Sequence, residues 1–188
     1  MARVFDPIGK KVGNHFYHLT IEAFTLDQVL KAIEETGQTE VAVCASDTAL
    51  KKNLFSLLRE ASLASAIHPK SVIAGTSNIG RGVIINAGAV IQSNAQLGKG
   101  VMIHANTVVE HDCRVGDFVN LAMGSVLAGR VKVGEGSTIF AGVTVAPNIT
   151  VGRNSIIGAG SLVLADVPDN TLAYGCPAVP IREINSLK

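Results

Sequence analysis

The sequence predicts a mainly β chain built around a parallel β-helix, a prism of stacked coils, with a small α/β domain before it and a short helix after it. Three observations carry that expectation. From Ile67 to Val163 every sixth residue is Ile, Leu or Val, with no hexad skipped. Four residues after each aliphatic stands a small or β-branched residue, among them Ser71, Ala89, Thr107, Cys113, Ser125 and Ser161. Gly80, Gly98, Gly116, Gly134 and Gly152 recur every eighteen residues, each directly after an aliphatic.

A six-residue period suits neither a helix nor a long alternating strand, so each hexad reads as a short strand and a turn. The eighteen-residue period makes three hexads one coil. The aliphatic of each hexad then points into the prism, the small residue forms a second inward row, and coils rise by about 4.8 Å, the ordinary strand spacing. Glycine at one corner of every coil is expected to supply the backbone freedom of the turn. Composition agrees: Ile, Leu and Val make up 53 of 188 residues, aromatics are 4%, Trp is absent and Gly reaches 19. Small and β-branched residues favour strands and tight turns over an aromatic-filled core.

The prism occupies residues 67–166. Before it, residues 1–66 form the α/β domain. Residues 25–36 read as a helix capped by Thr25, with Leu26, Val29, Leu30 and Ile33 on one face and Gly37 as its stop. Residues 40–45 read as a buried strand. Ser46 or Asp47 then caps a second helix whose apolar face is Leu50, Leu54, Leu57 and Leu58. One role of this domain is to cover the first coil, which otherwise leaves a strand edge open. After the prism, residues 167–188 form a closing segment, with a terminal helix over 180–188.

Sixteen Lys+Arg against fifteen Asp+Glu give a formal charge of +1 without a basic stripe, which argues against nucleic acid or an anionic membrane surface as partner. No apolar run reaches the length of a membrane span, and Asp6 and Pro7 stand where a signal peptide would be apolar, so a cytoplasmic location is expected. Cys44, Cys113 and Cys176 are too far apart for a CxxC pair and read as reduced thiols.

The repeat resembles the left-handed β-helix acyltransferases, whose hexapeptide begins with Ile, Leu or Val, is often followed by Gly, and has a small residue at its fifth place. The match runs over residues 67–166 without an insertion. The left-handed coil and the usual homotrimer, with active sites at subunit interfaces, are what the resemblance implies.

Within the repeat, Glu110, His111 and Asp112 place two carboxylates and an imidazole at one turn. Acetyl transfer to an amine or hydroxyl needs a base near neutrality, which a histidine supplies, and a neighbouring carboxylate can orient it. A solvated polar turn is the plainer reading of the same residues. The sequence EHDCRVGDF, 110–118, followed by a Gly-x-Pro-Ala element at 175–178, resembles the group of sialic acid O-acetyltransferases and nucleotide-amino-sugar N-acetyltransferases, bacillosamine-pathway enzymes included. That resemblance implies His111 as general base, Asp112 as the acid that hydrogen-bonds it, and the Gly129 N–H as the group holding the thioester carbonyl oxygen of acetyl-CoA. From the sequence alone, Gly129 reads equally as a turn glycine. Met123, Ala141 and Ala159 of a neighbouring subunit would flank the pantetheine arm.

Glu110, His104 and Asn120 are the expected sugar-binding residues. Two of them depart from the pattern: His104 stands where some relatives have Asn, and Asn120 where some have His, which implies a different sugar pocket. The Gly-rich, His-containing turn that binds the nucleotide in relatives has no counterpart here, and Val4-Phe5-Asp6-Pro7 matches a strand that comes later in such domains.

Two other functions fit parts of the pattern. The γ-type carbonic anhydrases share the prism and hold zinc with three histidines, and His68 and His104 are two coils apart as in that family. His111, however, follows His104 by seven residues where that family has five. A non-catalytic trimeric scaffold is the third reading. The expectation carried forward is an acetyl-CoA-dependent sugar acetyltransferase without a metal, most readily an N-acetyltransferase, with sugar O-acetylation as the alternative.

Overall fold

Each hexad folds into two strand residues and a two-residue turn, and the strands gather into three parallel sheets. The structure, a computed structural model, describes residues 4–6, 15–16, 19–23, 41–58 and 63–184. The first sheet of the prism runs from Ala66–Ile67 through Met102–Ile103 and Asn120–Leu121 to Ile156–Ile157. Val72–Ile73 through Val108–Val109 to Leu162–Val163 form the second, and Asn78–Ile79 through Arg114–Val115 to Thr150–Val151 the third. Register between coils is eighteen residues throughout: Met102 pairs with Asn120, Val108 with Val126 and Arg114 with Lys132.

That register stacks like residues. From Ile85 to Val163 the hexad aliphatics are at most 4% exposed, and Ala89, Thr107, Cys113 and Ser125 are fully buried between them. Each such aliphatic contributes about 1.5–3 kcal/mol by leaving water. The first coil is less well covered: Ile67 is 45% exposed, and Ile73 and Ile79 are partly buried.

The glycine ladder has a different cause from the one expected. Gly80, Gly98, Gly116, Gly134 and Gly152 are not in the left-handed region. A Cβ on Gly80 would lie 2.6 Å from the carbonyl carbon of Gly98, and one on Gly134 would lie 2.6 Å from the amide of Arg153. Close stacking of backbones excludes a side chain there. The left-handed residue falls two places later in the hexad and recurs every six residues from Gly82 to Gly160; its non-glycine members include Asn94, Asp112, Phe118, Arg130 and Asn154. Asn and Asp tolerate this conformation.

Contacts divide the chain into two units, Met1–Val41 and Ala42–Lys188. In the first, Val4–Asp6 pairs in parallel with Leu19–Ala23, which pairs antiparallel with His15–Phe16. The expected helix over 25–36 lies outside the described residues. Of the expected strand at 40–45, the described part holds a single bridge at Val41, and Val43 alone of residues 41–45 is buried. Asp47 caps the helix Thr48–Leu57, accepting the Leu50 N–H at 2.7 Å.

That helix packs with the prism, and of its expected leucine face Leu54 and Leu58 join the contact, partly buried against the cluster that holds Phe55 and Phe118. Leu57 is 44% exposed, and the buried residues are Lys51 and Phe55. Phe55 meets the Phe118 ring edge-on at 5.1 Å, and Gly82 and Gly100 leave room for the pair, since a Cβ at either would strike a ring. Lys52 and Glu135 form a 2.8 Å ion pair that holds the Glu135 carboxyl below its usual range.

The closing segment is a hairpin, not a helix. Thr171–Gly175 continues the first sheet beside Ile156–Ile157, and Ala178–Glu183 returns antiparallel to it. Leu172 and Ala173 gain a parallel partner in Ile156 and Ile157, which an isolated terminal helix would forgo. Pro180, which has no N–H to give, sits on the edge strand next to a β-bulge, where proline is tolerated. The remainder of the expected helix, 185–188, lies outside the described residues. Among the described residues no helix is long and apolar enough to cross a membrane.

Candidate active site

His111 and Asp112 are the two turn residues at the corner between the second and third sheets. Backbone bonds fix this turn from both sides. The Asp112 N–H donates to the Ser93 carbonyl at 3.0 Å, and the Arg130 N–H donates to the His111 carbonyl at 2.9 Å. Asp112 is left-handed, with φ 59°, and the turn brings its carboxylate beside the imidazole of its own neighbour. His111 Nδ1 lies 2.8 Å from Asp112 Oδ2. An ionised carboxylate only accepts, so Nδ1 carries the proton, and in the neutral ring Nε2 keeps a lone pair. The hydrogen bond from His111, and then that from Asn94, hold the Asp112 carboxyl below its ordinary range. Both side chains stay open to solvent, at 44% and 45% exposure.

Gly129 lies one coil on from His111, directly against its ring. A Cβ there would fall 2.6 Å from Nε2 and 2.7 Å from Cε1. The carbonyl of Gly129 accepts from Asn148, whereas its own N–H has no acceptor among the described residues. Most first turn residues share that free amide, so the amide alone does not single out Gly129. Its place beside Nε2 does.

The other expected residues lie elsewhere. His104 Nε2 and Asn120 Oδ1 are 3.1 Å apart on the first sheet, with Asn120 9% exposed, and no hydrogen bond joins them to the His111 turn. Glu110 is half-buried, next to His111, and its side chain makes no hydrogen bond or ion pair among the described residues. Met123, Ala141 and Ala159 form a column at the corner between the first and second sheets, linked by Gly142 N–H to Met123 O and Gly160 N–H to Ala141 O. Within one chain the second sheet separates this column from His111. A concavity of about 510 Å³ runs along the third sheet beside Arg114, Lys132 and the glycine ladder and does not include His111.

His68 and Cys113 are otherwise engaged. His68 Nδ1 accepts the Lys70 N–H at 3.0 Å, so the three histidines of the zinc reading each face a different partner. The described residues hold no group of three His, Cys, Asp or Glu that could bind a metal. Cys113 is fully buried in the prism, burial pushes its thiol pKa up, and its Sγ lies 3.1 Å from the Ala128 carbonyl.

Sequence reasoning did not find Asn94, whose Nδ2 donates to Asp112 Oδ1 at 3.2 Å. Its signal was the eighteen-residue spacing, which puts position 94 directly beneath 112.

Residues 94–129 and 130–165 match the family described as bacterial transferase hexapeptide (six repeats). No curated protein matches the chain significantly. Among solved structures, PerB from Caulobacter crescentus in complex with CoA and GDP-perosamine is 34% identical, over 87% of this chain and 79% of that one, with a TM-score of 0.83. A variant from the same organism is described as a perosamine N-acetyltransferase, again 34% identical, over 88% of this chain and 79% of that one, with a TM-score of 0.83. The acetyltransferase domain of PglB from Neisseria gonorrhoeae, bound to acetyl coenzyme A, is 26% identical over 92% of this chain and 83% of that one, with a TM-score of 0.84.

Proposed function

The chain belongs to the hexapeptide-repeat acetyltransferases that use acetyl-CoA to acetylate sugars, and from that premise we propose that it acetylates the amino group of a nucleotide-linked amino sugar. The observation that carries this reading is the His111–Asp112 couple with Nε2 turned to the Gly129 corner. Perosamine, the sugar held by PerB as its GDP conjugate, is the first acceptor to test.

In the proposed reaction the sugar amine attacks the thioester carbonyl carbon while His111 Nε2 takes its proton. Asp112 keeps Nδ1 protonated and steadies the imidazolium that forms. The Gly129 N–H donates to the carbonyl oxygen as it gains charge. Collapse breaks the C–S bond, and the imidazolium returns its proton to the departing thiolate. The products are the N-acetyl sugar nucleotide and CoA, with no covalent enzyme intermediate.

We read the working unit as a homotrimer. The outward row of the second sheet is Val72, Val90, Val108, Val126, Thr144 and Leu162, whereas that of the third is Asn78, Gln96, Arg114, Lys132 and Thr150. Covering the apolar sheet with a second copy would set the column of Met123, Ala141 and Ala159 of one subunit beside His111 of the next. It would also enclose a corner that one chain leaves open to solvent. A cytoplasmic location follows from the supply of both substrates there.

The test is incubation with acetyl-CoA and a panel of acceptors: GDP-perosamine, other nucleotide-linked amino sugars, the free amino sugars and sialic acid. Product mass identifies the acceptor, and survival of the acetyl group in mild base separates amide from ester. An ester product would replace N-acetylation with O-acetylation, and no product with any acceptor would contradict the reading.

A further inference from the structure

We infer that Asn94 is a positioning residue for the reaction, acting from one coil below by holding the Asp112 carboxylate in register with His111. The inference rests on the proposed role of His111 as base. Asn94 and Asp112 occupy equivalent places in successive coils, both left-handed at φ 59°. Asn94 Nδ2 lies 3.2 Å from Asp112 Oδ1, while the other carboxylate oxygen, Oδ2, takes the His111 ring at 2.8 Å.

Engaging the two oxygens separately matters because the terminal torsion of an aspartate is soft. A carboxylate held by His111 alone can pivot; one held at both oxygens cannot. Asn94 is itself anchored, its backbone N–H donating to Thr76 Oγ1 at 3.1 Å. The support therefore passes through three coils, from Thr76 to Asn94 to Asp112.

Asparagine also serves these corners simply because it tolerates the left-handed turn, as at Asn154, whose side chain stands 3.5 Å from Asn170. At position 94 the residue above is the carboxylate of the site. That carboxylate is acceptor-only, so the amide must present its NH₂, and an aspartate could not replace it. Arg130, the cation on the coil above, is turned to Asn148 Oδ1 at 2.7 Å, which leaves Asn94 as the second side-chain donor to Asp112. The titratable and charged groups that act on this carboxylate are His111 on its own turn and Arg130 above it.

Two variants separate a positioning role from a merely structural one. Asn94→Gly keeps the left-handed backbone and removes the amide. It is expected to lower kcat about ten-fold with KM for both substrates little changed, and to melt no lower than Asn154→Gly, the matched corner control. Asn94→Asp keeps the size but opposes Asp112 with a second carboxyl. Its deficit should exceed that of Asn94→Gly, because two adjacent carboxylates repel and neither has a proton to donate to the other. Native kcat in Asn94→Gly, with His111→Ala inactive, overturns this inference and leaves the proposed function standing. So does an Asn94→Asp deficit no larger than that of Asn94→Gly. A native protein inactive with every acceptor overturns both.

Discussion

Replacing Gly129 with alanine separates the seat of the catalytic ring from the stability of the coil. The added Cβ would lie 2.6 Å from His111 Nε2 and 2.7 Å from Cε1, against ordinary contacts that begin at 3.4 Å. The ring must therefore move by roughly 0.8 Å or swing outward, and either motion disturbs its 2.8 Å bond to Asp112. A misplacement near 1 Å at a reacting group costs about 100-fold in rate. Stability should not suffer: Gly129 is outside the left-handed region, the nearest atoms to the new methyl all belong to the half-exposed His111 ring, and Gly→Ala at a compatible site adds about 0.4–1 kcal/mol. The assay is CoA thiol release beside thermal melting, with Asn154→Ala as the converse control. That residue has φ 50°, so alanine there costs about 1 kcal/mol and leaves turnover intact. Native turnover in Gly129→Ala would refute the reasoning, because the ring would then not need its present seat. Loss of activity together with a lower melting temperature would place the fault in the backbone instead.

Other perturbations bear on other parts of the account. Burial lowers the pKa of Lys51 from 10.5 to about 8, and its Nζ has no hydrogen-bond partner among the described residues. The folded state thus disfavours the charged amine, a penalty that grows as pH falls from 10.5 to about 8 and is complete below it. Lys51→Met should accordingly raise stability by about 1–3 kcal/mol at pH 7 and by less above pH 10, measured by urea unfolding. Cys113→Ser keeps a donor for the Ala128 carbonyl and should retain activity; its loss, with an acetylated thiol trapped in the native protein, would point to a covalent route. Val90→Glu, on the outward row of the second sheet, should convert the proposed trimer to monomers in light scattering and abolish turnover, and an unchanged oligomeric state would place the interface elsewhere.

The prism was legible because a solenoid turns sequence spacing directly into spatial neighbourhood. The six-residue aliphatic period became the buried row, and the eighteen-residue period became the register that pairs Met102 with Asn120. The same arithmetic set Gly129 against His111. Two features of the repeat were visible but misread in cause. The glycine ladder reflects backbone stacking, and left-handed turns fall on Asn, Asp and even Phe118 as readily as on glycine. Phe118 is retained by its contact with Phe55, which no periodicity announces. Outside the repeat, the closing hairpin depends on the free edge beside Ile156–Ile157, a partner that the residues of the segment do not announce and where a terminal helix was expected. Lys51 was hidden for a related reason: leucines on its helix marked an apolar face, yet packing buried a lysine and left Leu57 exposed.

The most direct measurement is single-turnover CoA release from acetyl-CoA with a nucleotide-linked amino sugar, comparing the native chain with His111→Ala. The account requires release by the native protein with formation of the acetamido sugar, and a fall of about 10²–10⁴-fold in the variant, the usual worth of a positioned base. Equal rates in the two proteins, or no release with any amino sugar, would contradict it.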